Sequence, residues 1–390
     1  MLPDNQSTPL RMGLIGGGGA GFIGKVHATA ATLDNRAVIV AGALSSDPQR
    51  SRDSASMFGI DPARAYGSYR ELIEGELKLP ADQRVSFVSI ATPNHTHAPI
   101  AIAALKAGLH VICDKPMTTG LDEADQVVAA AEESGRVFAL THNYSGYPMM
   151  RQARQMIAEG DLGEIIAVRA NYVQGWMHGM DATQTPQRGA WKSDPTLNGQ
   201  AGSLGDVGTH AFHLAGFVTG LKPESLLCRM QSYSEHHQLD DYGHALLQLD
   251  GGATGLITWS QVTHGRLNDL SIEIDGTKAA LTWRQEEPNQ LFVRSLGRPT
   301  QIYERNPNAD YSTSQAVDAC RLPGGHPEAF FEAFANVYSN AFDDILEIDC
   351  GESVDRHSTI YPSVYDGRDG VRFMDRCLQS NQNQSSWQSW

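Results

Sequence analysis

The sequence predicts an α/β protein in two halves: a doubly wound parallel sheet, then an α+β region with a large, mostly antiparallel sheet. Over residues 11–141, short apolar runs alternate with helix-like runs, the pattern of parallel strands joined by crossover helices. Later, period-two strands are joined by turn pairs such as Gly251-Gly252, which are typical of antiparallel hairpins. We therefore expect domains over residues 1–143 and 144–390, with the last helices able to pack back on the first domain.

The individual elements follow from apolar runs and their flanking residues. Strands are predicted at 12–16, 38–44, 85–91, 110–113 and 137–141. Asp47-Pro48 is typical of a helix start and Gly59 of a helix end, while Gly108 follows a predicted helix at 98–107. In the second half we expect helices at 149–159 and 327–346, a strand at 165–174 and a frayed polar tail at 379–390.

Charge and cysteine content narrow the class of protein. A net charge of −15 over 390 residues argues against nucleic acid or an anionic membrane as a partner. The five cysteines are scattered and form no CxxC pair, so neither a disulfide framework nor a zinc site is indicated. Because no targeting segment and no apolar run of about 18 residues is found, we expect a cytoplasmic protein.

A glycine-rich loop follows the first predicted strand. It extends from Gly16 to Gly24, and the pattern G-x-G-x-x-G fits in two registers, 16/18/21 and 19/21/24. Glycines permit positive φ and let backbone N–H groups approach a pyrophosphate at a helix N-terminus, although a tight structural turn is the alternative. The predicted cofactor-binding residues here are Gly16, Gly18, Gly21, Phe22, Ile23 and Gly24, in a register that favours Gly16, Gly18 and Gly24.

The end of the second strand bears on the choice of dinucleotide. Ser45 occupies the place where a carboxylate usually binds the adenosine ribose, with Ser46 beside it. Arg50 could reach a 2′-phosphate, whereas Asp47 is a plausible helix cap. NADP is therefore credible, and NAD stays open.

Two further strand ends carry polar residues. Lys115 follows a short apolar strand and precedes Pro116, at the sheet edge where ligands bind, although an exposed lysine is the ordinary alternative. The loop after the third strand contains Thr92, Asn94 and His97, which we expect to line the nicotinamide, with plain loop residues as the alternative.

The second half contains a carboxylate and an imidazole at helical spacing. Asp206 and His210 are four residues apart, so on a helix they share one face and the carboxylate can orient the imidazole. His213 is expected to pack. A helix cap and an ordinary buried histidine are the alternative reading of the pair.

Together these segments resemble the Gfo/Idh/MocA oxidoreductases, the family of glucose-fructose oxidoreductase and inositol dehydrogenase, over residues 11–375. The resemblance implies a Rossmann domain and a sheet domain often used for dimer or tetramer contacts. It also implies NAD(P)-dependent oxidation or reduction of a sugar or cyclitol. The segments that carry it are Ile23-Gly-Lys-Val-His27, Ala91-Thr-Pro-Asn-His-Thr-His97, Cys113-Asp-Lys-Pro116 and Asp206-Val-Gly-Thr-His210.

The resemblance also implies roles for individual residues. The family's lysine, aspartate and histidine match Lys115, Asp206 and His210. Asp114 falls with the cofactor-binding residues. Implied substrate-side residues are His142, Asn143, Tyr144, Trp191, Lys192 and His326, the last within Gly325-His326-Pro-Glu328. The longer glycine loop and Ser45 depart from the usual family pattern.

The predicted chemistry is hydride transfer at a secondary alcohol carbon. His210 is the expected general base, Lys115 stabilises the developing negative charge on oxygen, and Asp206 orients His210 or binds a neighbouring hydroxyl. A hydrolase or lyase with transient redox chemistry, or a non-catalytic dinucleotide sensor, remains an alternative. Although 14 histidines are present, no spacing favours a metal-dependent dehydrogenase.

Overall fold

The computed structural model describes residues 8–19, 21–178, 194–234 and 238–390. Its first half contains a five-stranded parallel sheet of order β2-β1-β3-β4-β5, which confirms the predicted doubly wound sheet. The strands are β1 Leu10–Gly16, β2 Ala37–Ala43, β3 Phe87–Ala91, β4 His110–Cys113 and β5 Phe138–Leu140.

The helices of the first half are α1 Phe22–Thr32, α2 Pro48–Asp53, α3 Tyr69–Glu76, α4 His97–Lys106 and α5 Leu121–Ser134. The helix predicted between Asp47 and Gly59 is broken into α2 and a 3₁₀ turn. The break lies at Ser54, whose hydroxyl donates back to the Arg50 carbonyl and accepts the Gly19 N–H of the glycine loop. A contact with the loop thus ends the helix early.

The second half contains a nine-stranded sheet of order β13-β12-β11-β10-β6-β9-β8-β7-β14. Neighbouring strands are antiparallel except β6 and β9, which run parallel, so the mostly antiparallel sheet is confirmed. The strands are β6 Ile165–Val173, β7 Pro223–Gln231, β8 Tyr242–Leu249, β9 Thr254–Ser260, β10 Asp269–Gly276, β11 Ala279–Arg284, β12 Gln290–Ser295, β13 Gln301–Glu304 and β14 Gln388–Ser389.

The helices of the second half are α6 Pro148–Ala158, α7 Pro195–Asn198, α8 Thr209–Thr219, α9 Ser314–Asp318, α10 Phe330–Asp349 and α11 Val364–Gln382. Helix α8 packs on strands β6, β9 and β10, while α11 packs on α5 of the first half. These contacts join the two halves through a shared apolar core.

The C-terminal tail is ordered, so the predicted frayed end is wrong. Helix α11 continues to Gln382, and β14 pairs with β7 at the sheet edge. The Trp390 N–H donates to the Glu224 carbonyl at 2.9 Å, and its ring lies 5.6 Å from that of Phe212. Packing of the terminal Trp390 side chain therefore keeps this polar segment in place.

Helix α10 returns to the first half and packs on α1. The buried Tyr338 hydroxyl lies 2.7 Å from Nδ1 of His27 and 2.6 Å from Oγ of Ser89 on β3. The Tyr338 ring also packs edge-on against Phe87 of β3. Because buried polar groups need partners, this cluster fixes where α10 meets the parallel sheet.

Replacing Tyr338 by phenylalanine should lower the free energy of unfolding by about 1–3 kcal/mol, because the buried His27 and Ser89 each lose a partner. Chemical denaturation monitored by circular dichroism measures the change. Tyr233→Phe is the control, since Tyr233 is 63% exposed. Equal denaturation midpoints for the two variants would show that the cluster adds no stability.

Candidate active site

The carboxyl ends of the parallel strands bring the predicted cofactor loops together. Gly16 of β1 is in register with Ala91 of β3, and Ile90 of β3 with Cys113 of β4. The glycine loop, the loop from Thr92 and the segment Asp114–Lys115 therefore begin at one edge of the sheet, where open α/β sheets bind ligands.

The glycine loop contacts α1 most closely through Gly17 and Gly24. A Cβ on Gly24 would lie 2.3 Å from the Gly17 Cα, so only glycine fits there. Gly18, the middle glycine of the predicted register, is also enclosed, since a Cβ there would lie 2.6 Å from the Leu44 carbonyl oxygen. The Gly18 N–H donates to the Leu44 carbonyl at 2.9 Å, so it is used within the protein. The extra loop residues fold toward the end of β2.

The N-terminus of α1 is suited to an anion. Helix α1 begins at Phe22 with Gly21 as N-cap, and no side chain caps it. The N–H groups of a first helical turn have no partner within the helix, and they carry partial positive charge. The Gly21, Phe22 and Ile23 region therefore fits a dinucleotide pyrophosphate, and Gly24 permits the close approach.

The end of β2 carries no carboxylate at the ribose position. The Ser45 hydroxyl accepts the Asp47 N–H at 3.2 Å, while the Asp47 carboxylate caps α2 by accepting the Arg50 N–H at 2.7 Å. Ser46 and Arg50 are exposed beside this cap. The Asp47 carboxylate thus caps the helix, and Arg50 is an exposed cation near this edge.

The loop after β3 is held in place by His97 and Asn94. His97 is 1% exposed, and its Nδ1 and Nε2 lie 2.8 and 2.9 Å from the carbonyls of Pro116 and Thr92. Its ring thus joins two loops. Asn94 donates to Asn198 Oδ1 of α7 at 2.9 Å, which fastens this loop to the second half.

Lys115 links the two halves of the molecule. Its ammonium donates to Asp206 Oδ1 at 2.9 Å and to the Asp206 carbonyl at 2.6 Å, and the Lys115–Pro116 peptide bond is cis. Burial alone would lower the pKa of Lys115, but the negative charges of Asp206 and Asp114 outweigh burial and raise it. Lys115 therefore stays a cation at neutral pH.

Asp114 beside it is the other buried acid of this edge. It accepts from the Thr141 hydroxyl at 3.0 Å and lies 3.7 Å from His27 Nε2. Burial alone would raise the pKa of Asp114, but His27, Lys115 and His97 more than offset this and lower it. Its charge therefore persists next to Lys115.

Asp206 lies in a wide, π-helical turn, Leu204–Gly208, directly before α8. Asp240 holds the approach to this turn, because its carboxylate accepts the Gly202 and Leu204 N–H groups at 2.6 and 2.8 Å. Gln261 donates to Asp206 Oδ2 at 2.7 Å. The carboxylate is thereby oriented from two sides, by Lys115 and by Gln261.

His210, on the first turn of α8, is surrounded by other rings. Its Nδ1 lies 3.2 Å from Nδ1 of His142, and Tyr144 and Tyr172 pack against it with centroids at 4.9 and 5.9 Å. Burial lowers the pKa of His210 well below 6.5, the charge of Lys115 lowers it further, and Asp206 only partly opposes this. The imidazole is therefore neutral at pH 7, as a general base requires.

The predicted substrate-side residues lie in different places. Trp191 and Lys192 fall outside the described residues. Tyr144 hydrogen-bonds to the Tyr172 hydroxyl at 2.6 Å. Asn143 is 3% exposed, and its Nδ2 makes no hydrogen bond within the described part of the chain, so this donor is available to a bound molecule. His142 is 1% exposed and adjoins His210.

His326 lies apart from the other predicted substrate-side residues in its hydrogen bonding. Its side chain is exposed in the segment before α10, and its backbone carbonyl accepts from Arg305. Arg305 in turn pairs with the buried Glu328 at 2.9 Å, and both side chains are at most 1% exposed. The segment around His326 is thus held by an ion pair, and its recorded contacts do not connect it with Lys115, Asp206 or His210.

The sequence did not reveal the amides that support Asp206. Gln174 and Gln261 follow directly after β6 and β9, the parallel pair within the second sheet, and Gln261 Nε2 lies 3.3 Å from Gln174 Oε1. Polar residues directly after parallel strands are a usable signal. It could not be read here because the parallel pairing of β6 with β9 was not predicted.

Comparison with known proteins identifies the class. Residues 10–142 match a family model described as "Oxidoreductase family, NAD-binding Rossmann fold", and residues 150–282 match one described as "GFO/IDH/MocA C-terminal domain". The protein is thus an NAD-binding oxidoreductase. The chain is 33% identical to the uncharacterized oxidoreductase YfiI of Bacillus subtilis, over 98% of this chain and 97% of that protein. It belongs to the Gfo/Idh/MocA family, as its motifs indicated.

Two solved structures and a levoglucosan dehydrogenase are also similar to this chain. An inositol dehydrogenase homologue from Azotobacter vinelandii, solved with NAD⁺, is 36% identical, with a TM-score of 0.94 and 98% of both chains covered. Its structure with NADH and myo-inositol is 35% identical, with a TM-score of 0.91 and the same coverage. Levoglucosan dehydrogenase of Pseudarthrobacter phenanthrenivorans is 27% identical over 73% of this chain and 76% of that protein.

The described residues form neither a metal site nor a membrane-spanning helix. Among the residues that the structure describes, no group of three or more His, Cys, Asp or Glu side chains is placed to hold a metal ion. Within those same ranges, no helix is long and apolar enough to cross a membrane. All five cysteines are free.

Gly24→Ala should weaken NAD binding about tenfold or more, a loss of about 1.4 kcal/mol, because the new methyl group would overlap Gly17 and push the loop from the helix N-terminus. Fluorescence titration with NAD measures this. Gly120→Ala is the control, since a Cβ there meets nothing within 4 Å. Unchanged affinity in Gly24→Ala would exclude this loop as the pyrophosphate site.

Proposed function

We propose that the protein is an NAD-dependent dehydrogenase that oxidises a secondary alcohol carbon of a cyclitol or sugar. The observation that carries the proposal is the partly buried Lys115–Asp206 pair, 2.9 Å apart, which lies next to a neutral His210 at the cofactor edge of the sheet. A fixed cation and a neutral base are the two groups that alcohol oxidation requires. Bound NAD supplies the hydride acceptor.

His210 is the proposed general base. Its low pKa keeps Nε2 or Nδ1 unprotonated at neutral pH, and Nδ1 is occupied by His142 at 3.2 Å. Nε2 is therefore the atom that takes the hydroxyl proton. Lys115 donates to the same substrate oxygen and stabilises its negative charge as the proton leaves. Asp206 positions the Lys115 ammonium and, in this proposal, also accepts from a neighbouring hydroxyl.

The proposed cofactor contacts follow the sheet edge. The Gly21–Gly24 turn holds the pyrophosphate, Thr92 and Asn143 lie toward the nicotinamide side, and Gly16 ends β1 with φ +89° against Ala91. Ser45, Ser46 and Arg50 face the adenosine end. NAD is the favoured cofactor because the Azotobacter vinelandii homologue binds it. NADP is the second cofactor to test, because the exposed Arg50 could reach its 2′-phosphate.

Cyclitols are the favoured substrate class. The support is similarity to the inositol dehydrogenase homologue solved with NADH and myo-inositol, at 35% identity over 98% of both chains. Levoglucosan dehydrogenase is more distant, at 27% identity over 73% of this chain. Anhydrosugars and aldoses are therefore the second class to test.

Self-association and location are proposed on separate grounds. Strand β6 alternates buried and half-exposed residues, and its partly exposed Arg169 pairs with Asp275 at 2.7 Å on the sheet face opposite α8. We propose that this face forms a dimer or tetramer contact, to be measured by light scattering.

Five free cysteines support a reducing compartment, and we propose the cytoplasm.

A screen of cyclitols and sugars with NAD and with NADP tests the function. We expect net reduction of cofactor, fastest with an inositol. Lys115→Ala and His210→Ala should each lower kcat by about 10²-fold or more while NAD affinity is retained. Lys106→Ala, an exposed lysine at the end of α4, is the matched control.

Three results would contradict the proposal. Near-normal turnover in either variant would remove that residue from catalysis. Substrate conversion without net reduced cofactor would indicate a hydrolase or lyase with transient redox chemistry. Loss of NAD binding in both variants would place Lys115 in the cofactor site.

The pH dependence of oxidation follows from the pKa of His210. Protonation of the base abolishes activity, so kcat/KM should fall only as the pH drops well below 6.5. In Lys115→Met a nearby positive charge is lost, the pKa of His210 rises, and the acid limb of the residual activity should move to higher pH. Lys106→Met should leave the limb unchanged. An acid limb at or above pH 6.5 in the unmodified protein would contradict a depressed pKa for the base.

A further inference from the structure

The ring of His142 contacts His210 across the junction between the two halves. His142 follows β5 of the first half, and His210 lies on α8 of the second, yet their Nδ1 atoms are 3.2 Å apart. The two ring planes are nearly perpendicular, at 80°, with centroids 5.0 Å apart. A hydrogen bond therefore joins two imidazoles across the domain junction.

Two identical atoms in one hydrogen bond constrain the protonation of both rings. A neutral imidazole has one N–H and one lone pair. One Nδ1 must therefore donate and the other must accept, so the tautomers of His142 and His210 are coupled. If Nδ1 of His210 donates, its Nε2 has the lone pair that a base needs; if Nδ1 accepts, Nε2 has the proton and cannot act as a base.

The other neighbours do not supply this control. Asp206 was predicted to orient His210, but its carboxylate contacts Lys115 at 2.9 Å and Gln261 at 2.7 Å. Among the residues that the structure describes, His142 is the hydrogen-bond partner of the His210 ring. The position occupied by a carboxylate in a Ser-His-Asp arrangement is thus taken here by a neutral imidazole.

The His142 ring is itself held in place. It stacks on His213 with centroids 4.5 Å apart and an interplanar angle of 12°. The Ser145 hydroxyl donates to the His142 carbonyl at 2.9 Å, which fixes the backbone of the turn. Burial, together with the neighbouring His213, His210 and Lys115, lowers the pKa of His142, so the ring is neutral.

We propose that His142 is a positioning residue whose Nδ1 accepts the Nδ1–H of His210 and thereby keeps Nε2 of His210 free to take the substrate proton. This inference rests on the proposed function only for the direction of the hydrogen bond. When His210 accepts the proton at Nε2, the imidazolium keeps donating through Nδ1 to His142. No proton passes to His142, and the hydrogen bond is strengthened because its donor has become charged.

Several charged or titratable groups act on His210 together with His142. The cation is Lys115, and the anions are Asp206 and Asp114. His213 lies on the same helix, and Tyr144 and Tyr172 pack against the ring. Removing the His142 acceptor changes none of these charges, so a shift in the pKa of His210 would report the hydrogen bond itself.

Nitrogen-15 NMR of histidine-labelled, NAD-bound protein tests the tautomer directly. The His210 resonances are assigned by their loss in His210→Asn. We expect a protonated Nδ1 and an unprotonated Nε2 in the unmodified protein at pH 7. In His142→Phe, which keeps the aromatic stack and removes the acceptor, the population should shift toward the Nε2–H form. This measurement needs no substrate.

Kinetics on the accepted substrate provide the second test. His142→Phe should lower kcat about tenfold with little change in KM, and the acid limb should move to lower pH because the His210 imidazolium has lost its acceptor. His142→Asn, whose amide oxygen can occupy a place near Nδ1, should recover much of kcat. His244→Phe, the same substitution at an exposed position of β8, serves as the matched control.

The outcomes separate this inference from the proposed function. An Nε2–H tautomer of His210 in the unmodified protein would overturn the positioning role, whatever the substrate proves to be. Identical His210 spectra in His142→Phe and the unmodified protein would overturn it as well. If His210→Ala kept full turnover while the tautomer shift was observed, the proposed function would fail and the hydrogen-bond assignment would stand.

Discussion

The ion pair between Lys115 and Asp206 is the interaction on which the site depends. A lysine with a side chain only 13% exposed loses much of its hydration, and an unpaired ammonium there would tend to lose its proton. Asp206 supplies the compensating charge from the other half of the chain, at 2.9 Å. The cation is therefore stable only when the two halves are docked, so the site forms at the junction.

Other contacts across the junction maintain that docking. Asn94 binds Asn198 at 2.9 Å on the second-half side of the cleft. On the opposite side, α10 places Tyr338 against His27, which lies 3.7 Å from Asp114 beside Lys115. A helix distant in sequence thus supports the negative charge next to the reactive lysine. The Asn94 amide and the Tyr338 hydroxyl both have partners across the junction, which makes a single relative position of the halves favourable.

The sequence alone predicted those features that interactions between neighbouring residues determine. The parallel strands, the glycine loop and the Lys115 strand end were predictable because apolar runs and turn residues encode them within a few positions. The parallel pairing of β6 with β9 was not, since more than 80 residues separate their starts and strands β7 and β8 intervene. The roles of Gln261 and His142 depend on such distant pairings, and so does the order of the Trp390 tail.

The local sequence pattern did not identify the hydrogen-bond partners of two side chains, because groups from distant parts of the chain contact them. His97 fits a cofactor loop by position, yet two backbone carbonyls occupy its nitrogens. Asp206 fits the spacing of an orienting carboxylate, yet Lys115 and Gln261 occupy its oxygens. In both cases the residue type and the spacing were correct for the chemistry. The partner was decided by groups from another part of the chain.

Lys115 and His210 share one environment but differ in protonation state, and this difference has a physical cause. Burial disfavours the charged form of both groups, yet the pKa of Lys115 is raised and that of His210 is lowered. The difference arises because Asp206 contacts the ammonium directly, whereas His210 meets a neutral imidazole. Once Lys115 is a permanent cation, its field further disfavours a second positive charge on His210. One carboxylate placed on the lysine thus separates an oxyanion-stabilising cation from a neutral base, and moving it to the histidine would remove both.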